Sequence, residues 1–148
     1  MTALLQQLAG VTRLAFDTAP IIYFVEEHPR YLAQVAPAFQ SVAAGRLLGV
    51  TSVLTLMEVL VQPLRRNAHA LQQAYTERLL HSAYFETHAI DAPIAERAAE
   101  LRARFNLRTP DALQLATALH VGCQAFLTND TALKRISDLH VIIVDELD

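Results

Sequence analysis

Four acidic residues, Asp17, Glu58, Asp111 and Asp130, stand where this chain could do chemistry. Asp17 closes the apolar run Leu14-Ala15-Phe16, and Asp130 follows Phe126-Leu127-Thr128-Asn129. Glu58 lies on a helical pattern that follows another apolar run, Leu47-Leu48-Gly49-Val50. Asp111 opens a helical pattern whose far end leads into the run at Phe126. Carboxylates gathered at one place repel one another and resist ionising. A hard divalent cation removes that conflict, and all-oxygen ligands suit magnesium or manganese rather than zinc. Magnesium keeps several waters, so a few carboxylates suffice. One such water, turned toward hydroxide by the ion, can attack a phosphodiester while the ion stabilises the phosphoryl and departing oxygens.

Each acid also has a local explanation. Glu58 shares a helical face with Leu54 and Val61, because successive residues turn about 100°. A carboxylate on an apolar helix wall is costly unless something pairs it. The alternatives are a less buried helix, or pairing with Arg65 or Arg66. Thr109-Pro110-Asp111 reads as a helix start, with Thr as N-cap, Pro first and an acid near the positive end of the dipole. Asp111 also shares a face with Leu115 and Ala118, which turns it inward. Asn129-Asp130 is a turn pair that could cap a helix from Thr131, and Asp17 could serve a turn or cap before Thr18-Ala19-Pro20. The set is more informative than any member.

The elements that must position these acids alternate. Short apolar runs predict strands at 13–17, 47–51, 84–88, 125–128 and 141–144. Helical patterns lie at 20–25, 31–44, 52–62, 68–81, 93–105 and 110–121, with a short one at 131–136. Pro63 is expected to stop the 52–62 helix, and Gly122 to close the one at 110–121. Such alternation implies α/β architecture, a parallel sheet with helices on both faces. Val141-Ile142-Ile143-Val144 has the unbroken apolar character of a strand buried on both sides. Ligands of open α/β sheets bind beyond the carboxyl ends of the strands, where Asp17 and Asp130 fall.

Composition sets the limits. The 148 residues fit one domain, expected to span 1–148, and 53% hydrophobic content excludes a disordered chain. A net charge of -3 argues against binding nucleic acid by bulk charge. It is compatible with a local basic rim around an acidic centre. Cys123 is alone, so an intramolecular disulfide and a thiolate cage are both excluded; it is expected as a buried small hydrophobe. Start-of-chain residues Met1-Thr2-Ala3-Leu4-Leu5 lack the basic, long apolar character of a signal peptide, and no stretch matches a membrane span. A cytoplasmic protein with no membrane association is the expectation.

At the acids the chain resembles the PIN-domain nucleases, and within them the VapC-type toxins of toxin–antitoxin pairs. The matching pieces are Phe16-Asp17-Thr18-Ala19-Pro20-Ile21-Ile22-Tyr23, Thr51-Ser52-Val53-Leu54-Thr55-Leu56-Met57-Glu58-Val59-Leu60, Arg108-Thr109-Pro110-Asp111-Ala112-Leu113-Gln114-Leu115-Ala116-Thr117-Ala118, and Phe126-Leu127-Thr128-Asn129-Asp130. They occur in the family's order and cover nearly the whole chain. The resemblance implies a three-layer α/β/α sandwich on a five-stranded parallel sheet. It also implies catalysis and metal ligation by Asp17, Glu58, Asp111 and Asp130, with Mg2+ or Mn2+ as cofactor. Thr128 falls where the family often has a hydroxyl near the site. The implied activity is metal-dependent hydrolysis of RNA by the toxin of a type II pair, with a small antitoxin partner and a homodimer. A PIN nuclease of RNA processing or decay, or an inactive binding module of the same fold, are the alternatives. About a dozen residues precede the first strand, a departure from many relatives, and have no assigned role.

Arg65, Arg66, Arg102, Arg104, Arg108, Lys134 and Arg135 are candidates for phosphate contacts. Arg108 is the foremost, three residues before Asp111. The six histidines show no ligand spacing. Tyr23, Phe24 and Tyr31 fit core packing or a partner groove. A haloacid-type phosphatase would want an acid at Ala19, and a receiver domain an acid beside Asp17 and a lysine after the last buried strand; Lys134 precedes the last strand.

Overall fold

The computed structural model describes residues 1–148. Its strands are β1 (Arg13–Phe16), β2 (Leu48–Ser52), β3 (Phe85–His88), β4 (Ala125–Thr128) and β5 (His140–Ile143). Each lies within one residue of its predicted bounds. All pairings are parallel and the sheet order is β3-β2-β1-β4-β5. The chain runs from the central β1 to one edge, then returns to β1's other side with β4. The switch point is therefore the seam between β1 and β4, where Ala15 faces Phe126 and Phe16 faces Leu127. A crevice opens at the carboxyl end of such a seam.

Seven helices cover the sheet: α1 (Ala3–Gln7), α2 (Thr18–Val25), α3 (Leu32–Ala43), α4 (Val53–Arg65), α5 (His69–Leu80), α6 (Ala92–Phe105) and α7 (Thr109–Val121). Strand side chains alternate between faces. Leu14, Phe16, Ala125, Leu127 and Ile142 pack with the first five helices, through Ile21, Phe39, Val59 and Tyr75 among others. Ala15, Val50 and Phe126 pack with Ile94, Leu101, Leu115 and Ala116 of α6 and α7. Two apolar cores thus flank one sheet, which makes the three-layer sandwich. None of the helices is long and apolar enough to cross a membrane.

The unassigned N-terminus gains a structure, and two local expectations are corrected. The dozen N-terminal residues contain α1, capped by the Thr2 hydroxyl, which accepts from Leu5 N at 3.2 Å. Five residues form no stable helix alone; Leu4 and Leu8, both buried in the first core, hold this one in place. Pro63 does not stop α4. It lies buried in the last turns, where its missing N–H removes one helical bond, and the helix ends where Asn67 turns left-handed at φ 52°. Thr109 is the first residue of α7 rather than its cap, and Pro110 follows it in the first turn. Gly122 closes α7 at φ 82°, as the sequence predicts.

Candidate active site at the switch point

A cleft of about 420 Å³ sits at the carboxyl end of the β1–β4 seam. Asp17, Glu58, Asp111 and Asp130 all line it, with Arg108, Thr18, Gln114 and Thr128. Four carboxylates face one guanidinium there.

Asp17 is set by backbone and hydroxyl donors. It ends β1 and caps α2, so Thr18 N donates to its Oδ1 at 2.9 Å. The fully buried Thr128 hydroxyl, at the end of β4, donates to Oδ2 at 2.7 Å. The cap reading and the site reading of Asp17 therefore coincide. Burial holds its carboxyl above the ordinary range. The Thr128 and Thr18 hydrogen bonds pull it down, and the nearby Asp111 and Glu58 charges push it up again.

Asp130 caps the 3₁₀ turn Thr131–Arg135, accepting from Ala132 N at 3.0 Å, while its own N–H donates to Thr128 Oγ1 at 3.1 Å. Asp111 turns inward on the first turn of α7, its side chain only 13% exposed, and accepts from Arg108 Nε at 3.0 Å. That bond, with the charges of Asp111, Asp130 and Asp17, strengthens the hold of Arg108 on its proton.

Glu58 departs from expectation. It is exposed rather than buried on an apolar wall, because Val53, Met57 and Leu64 of α4 also face outward. Neither Arg65 nor Arg66 pairs with it; its partner is Thr18, whose hydroxyl donates to Oε1 at 2.9 Å. Of the other candidate cations, Arg104 pairs with Asp138, Lys134 with Glu146, and Arg102 and Arg135 donate to backbone carbonyls. Arg65 and Arg66 do not line the cleft either. Arg108 alone serves it.

Sequence reasoning missed what lies beneath. Thr51, Ser52, Thr55 and Gln114 are all buried and linked by hydrogen bonds, and of the four only Gln114 lines the cleft. Gln114 had a signal, being a carboxamide amid Leu113, Leu115 and Ala116 on the face of Asp111. Asn129 is more than a turn former: it donates to Tyr23 Oη at 3.1 Å and accepts from Asp145 N at 2.8 Å. It ties β4 to α2 and to the C-terminal segment.

The donor set suits a hard cation: carboxylate oxygens and hydroxyls, with no histidine or cysteine lining the cleft. The Asp17 carboxyl is raised mainly by burial, with the Asp111 and Glu58 charges adding a smaller push. No three carboxylates are gathered closely enough to enclose an ion as they stand. A cation here would rely on waters for part of its shell, which magnesium tolerates.

Among known proteins, the family model of the PIN domain matches residues 14–139. No curated protein matches the chain in sequence. A solved toxin–antitoxin complex from Klebsiella pneumoniae is similar at 25% identity and TM-score 0.69, over 88% of this chain and 97% of that one. VapBC2 from Rickettsia felis, bound to a promoter DNA fragment, is similar at 18% identity and TM-score 0.72, over 93% of this chain and 100% of that one. DNA-bound VapBC from Salmonella typhimurium is similar at 18% identity and TM-score 0.70, over 90% and 98%. The last two likenesses speak for the fold; the family match spans β2, β3, β4, nearly all of β1 and every acid of the cleft, and the chain belongs to the PIN domain family.

Proposed function

We propose that the protein is an endoribonuclease dependent on magnesium or manganese, and the toxin of a type II toxin–antitoxin pair. The observation that carries this reading is the meeting of Asp17, Glu58, Asp111 and Asp130 in one cleft with a single cation, Arg108. Membership of a family whose domains are typically nucleases supports the reaction class. Likeness to a toxin–antitoxin complex supports the biological setting.

In this reading Asp17 and Asp111 hold the ion, with Glu58 and Asp130 reaching it directly or through water. The ion, when bound, activates a water and stabilises charge on the phosphoryl and leaving oxygens. Thr128 and the Thr18 N–H keep both Asp17 oxygens oriented. Arg108, whose side chain is 76% exposed at the mouth, exchanges Asp111 for a phosphate oxygen of the substrate. The surplus negative charge explains why a bare polyanion would not enter without a cation. It also suits an antitoxin that places a basic residue among the acids. A homodimer and a cytoplasmic location complete the proposal.

The test is cleavage of transfer, ribosomal and messenger RNA by purified protein, with magnesium, with manganese and with chelator. Metal-dependent cleavage that Asp17→Asn abolishes in a folded protein is expected. A wild-type protein that cleaves none of these and binds no metal would sink the reading. Growth arrest on expression, relieved by a co-expressed small protein from the neighbouring gene, separates a toxin from a processing nuclease.

A further inference from the structure

Glu58 is an exposed side chain with three free torsions, on a helix face that otherwise looks to solvent. Nothing on α4 itself fixes it. Its one partner, the Thr18 hydroxyl, is the outer end of a chain of hydrogen bonds that begins in the core.

The chain has a direction. The Ser52 hydroxyl donates to Gln114 Oε1 at 2.7 Å. Gln114 Nε2 donates to Thr55 Oγ1 at 2.5 Å, and points a longer contact of 3.4 Å at Thr18 Oγ1. Thr18 has one hydroxyl hydrogen, and Glu58 takes it at 2.9 Å, since a carboxylate can only accept. The 2.9 Å contact between Thr55 and Thr18 must then run from Thr55 to Thr18. Thr51 Oγ1 lies 3.0 Å from both Thr55 Oγ1 and the Phe16 carbonyl, and since a carbonyl only accepts, its single hydrogen goes to Phe16. From Ser52 through Gln114, Thr55 and Thr18 the donors run outward, and the row ends on Glu58. Thr55 gives its one hydrogen to Thr18, so the Gln114 carboxamide must turn Nε2 toward Thr55 and Oε1 toward Ser52.

We propose that Gln114 is a positioning residue, which, through Thr55 and Thr18, holds the Glu58 carboxylate aimed into the acid cleft for the cation. This rests on the metal-nuclease reading above. A polar layer serving stability alone would close on itself; this one spans α7, β2, α4 and α2 and terminates on an exposed carboxylate of the cleft. Bonds in such a chain polarise one another, so the last one is strengthened by those behind it. Groups that orient a metal ligand typically change metal affinity by 10–100-fold when lost.

The test uses the full chain with manganese as probe. Manganese binding is measured by electron paramagnetic resonance without RNA, and melting temperature is recorded for each variant. Gln114→Met keeps the volume and removes both polar atoms. Thr18→Val breaks the chain two links later, at a half-buried position where folding is safer. Each is expected to weaken manganese binding about tenfold. The double variant should be no worse than the weaker single one, because both cut the same chain. Thr18→Ser, which restores the hydroxyl, should bind within about twofold of wild type. KM for RNA should stay constant, while kcat at limiting manganese falls and recovers at saturating metal. A crystal structure of metal-free Gln114→Met should find Glu58 released from Thr18. Gln114→Met that melts earlier but binds manganese as wild type does would overturn the proposal, as would multiplicative losses in the double variant. A wild-type protein that binds no manganese would instead overturn the nuclease reading, and the proposal with it.

Discussion

The β1–β4 seam is pinned by side chains at both ends, and the two ends are built on opposite principles. At the amino end, Gln124 Oε1 accepts from Thr12 N and Arg13 N at 3.1 and 2.9 Å, and its Nε2 donates to Thr12 Oγ1 at 3.0 Å. Arg13 donates to the Val121 carbonyl at 2.7 Å. The titratable group buried there, Cys123, remains neutral because burial pushes its thiol up to about 12. At the carboxyl end, Thr128 pins β4 to Asp17, a carboxylate in the company of three more. One end closes the fold; the other holds four carboxylates against the single guanidinium of Arg108. Under-compensated charge costs stability, and in the proposed function it is the feature that makes the switch point the binding end.

The largest effect that sharpens this contrast is on activity. Asp17→Asn should lower cleavage on the order of a thousandfold, as loss of a metal ligand removes several kcal/mol of transition-state stabilisation. Gln124→Ala, which cuts the corresponding pin at the amino end, should leave the specific activity within about twofold while costing about 1 kcal/mol of stability in urea titration. If Gln124→Ala disabled cleavage as fully as Asp17→Asn, the two ends would not be functionally distinct.

A smaller effect concerns stability and reverses the sign. Burial raises the folded-state carboxyl of Asp17 above its unfolded value of 3.8. Its contribution is therefore fully present below pH 3.8 and is lost as pH rises through the higher folded value. Metal-free Asp17→Asn should thus melt above the wild type at pH 7, and the gap should narrow as the pH is lowered toward 4. A variant that melts below the wild type at pH 7 would mean the carboxylate is paid for within the fold. The smallest effect is chemical: Cys123 should resist iodoacetamide at pH 8 until the protein is unfolded. Rapid labelling of the native protein would show the amino end to be open rather than closed.

The sequence makes one of these ends far more legible than the other layers of the molecule. Runs such as Leu14-Ala15-Phe16 and Ala125-Phe126-Leu127 are apolar because both faces of the strand are covered, and that pattern is clearest in the central strands, while the edge strand β3, Phe85-Glu86-Thr87-His88, is mostly polar. Asp17, Asp111 and Asp130 then followed from their places at strand ends and a helix start, and Glu58 from its apolar neighbours on a helix. Glu58 was misjudged because helical periodicity tells which residues share a face, and not whether another element covers it. Met57 and Leu64 are apolar and yet exposed, so apolar neighbours were no guide to burial. α1 was hidden because five residues carry no periodic signal, and only the packing of Leu4 and Leu8 makes the helix. The row from Ser52 to Thr18 crosses elements distant in sequence, with Ser52 and Gln114 62 residues apart. Hydrogen bonds of that span are set by the fold, and no local pattern announces them.

The central claim is that the carboxyl end of the seam is a cation site made by its carboxylates. The direct measurement is the melting temperature of wild type and Asp17→Asn across a magnesium chloride series at constant ionic strength. A ligand that binds only the folded state stabilises it by about 2.7 kcal/mol at a hundred times its dissociation constant. The account predicts a rise with magnesium in the wild type that Asp17→Asn lacks. A wild-type protein indifferent to magnesium, or an equal rise in both proteins, would contradict it.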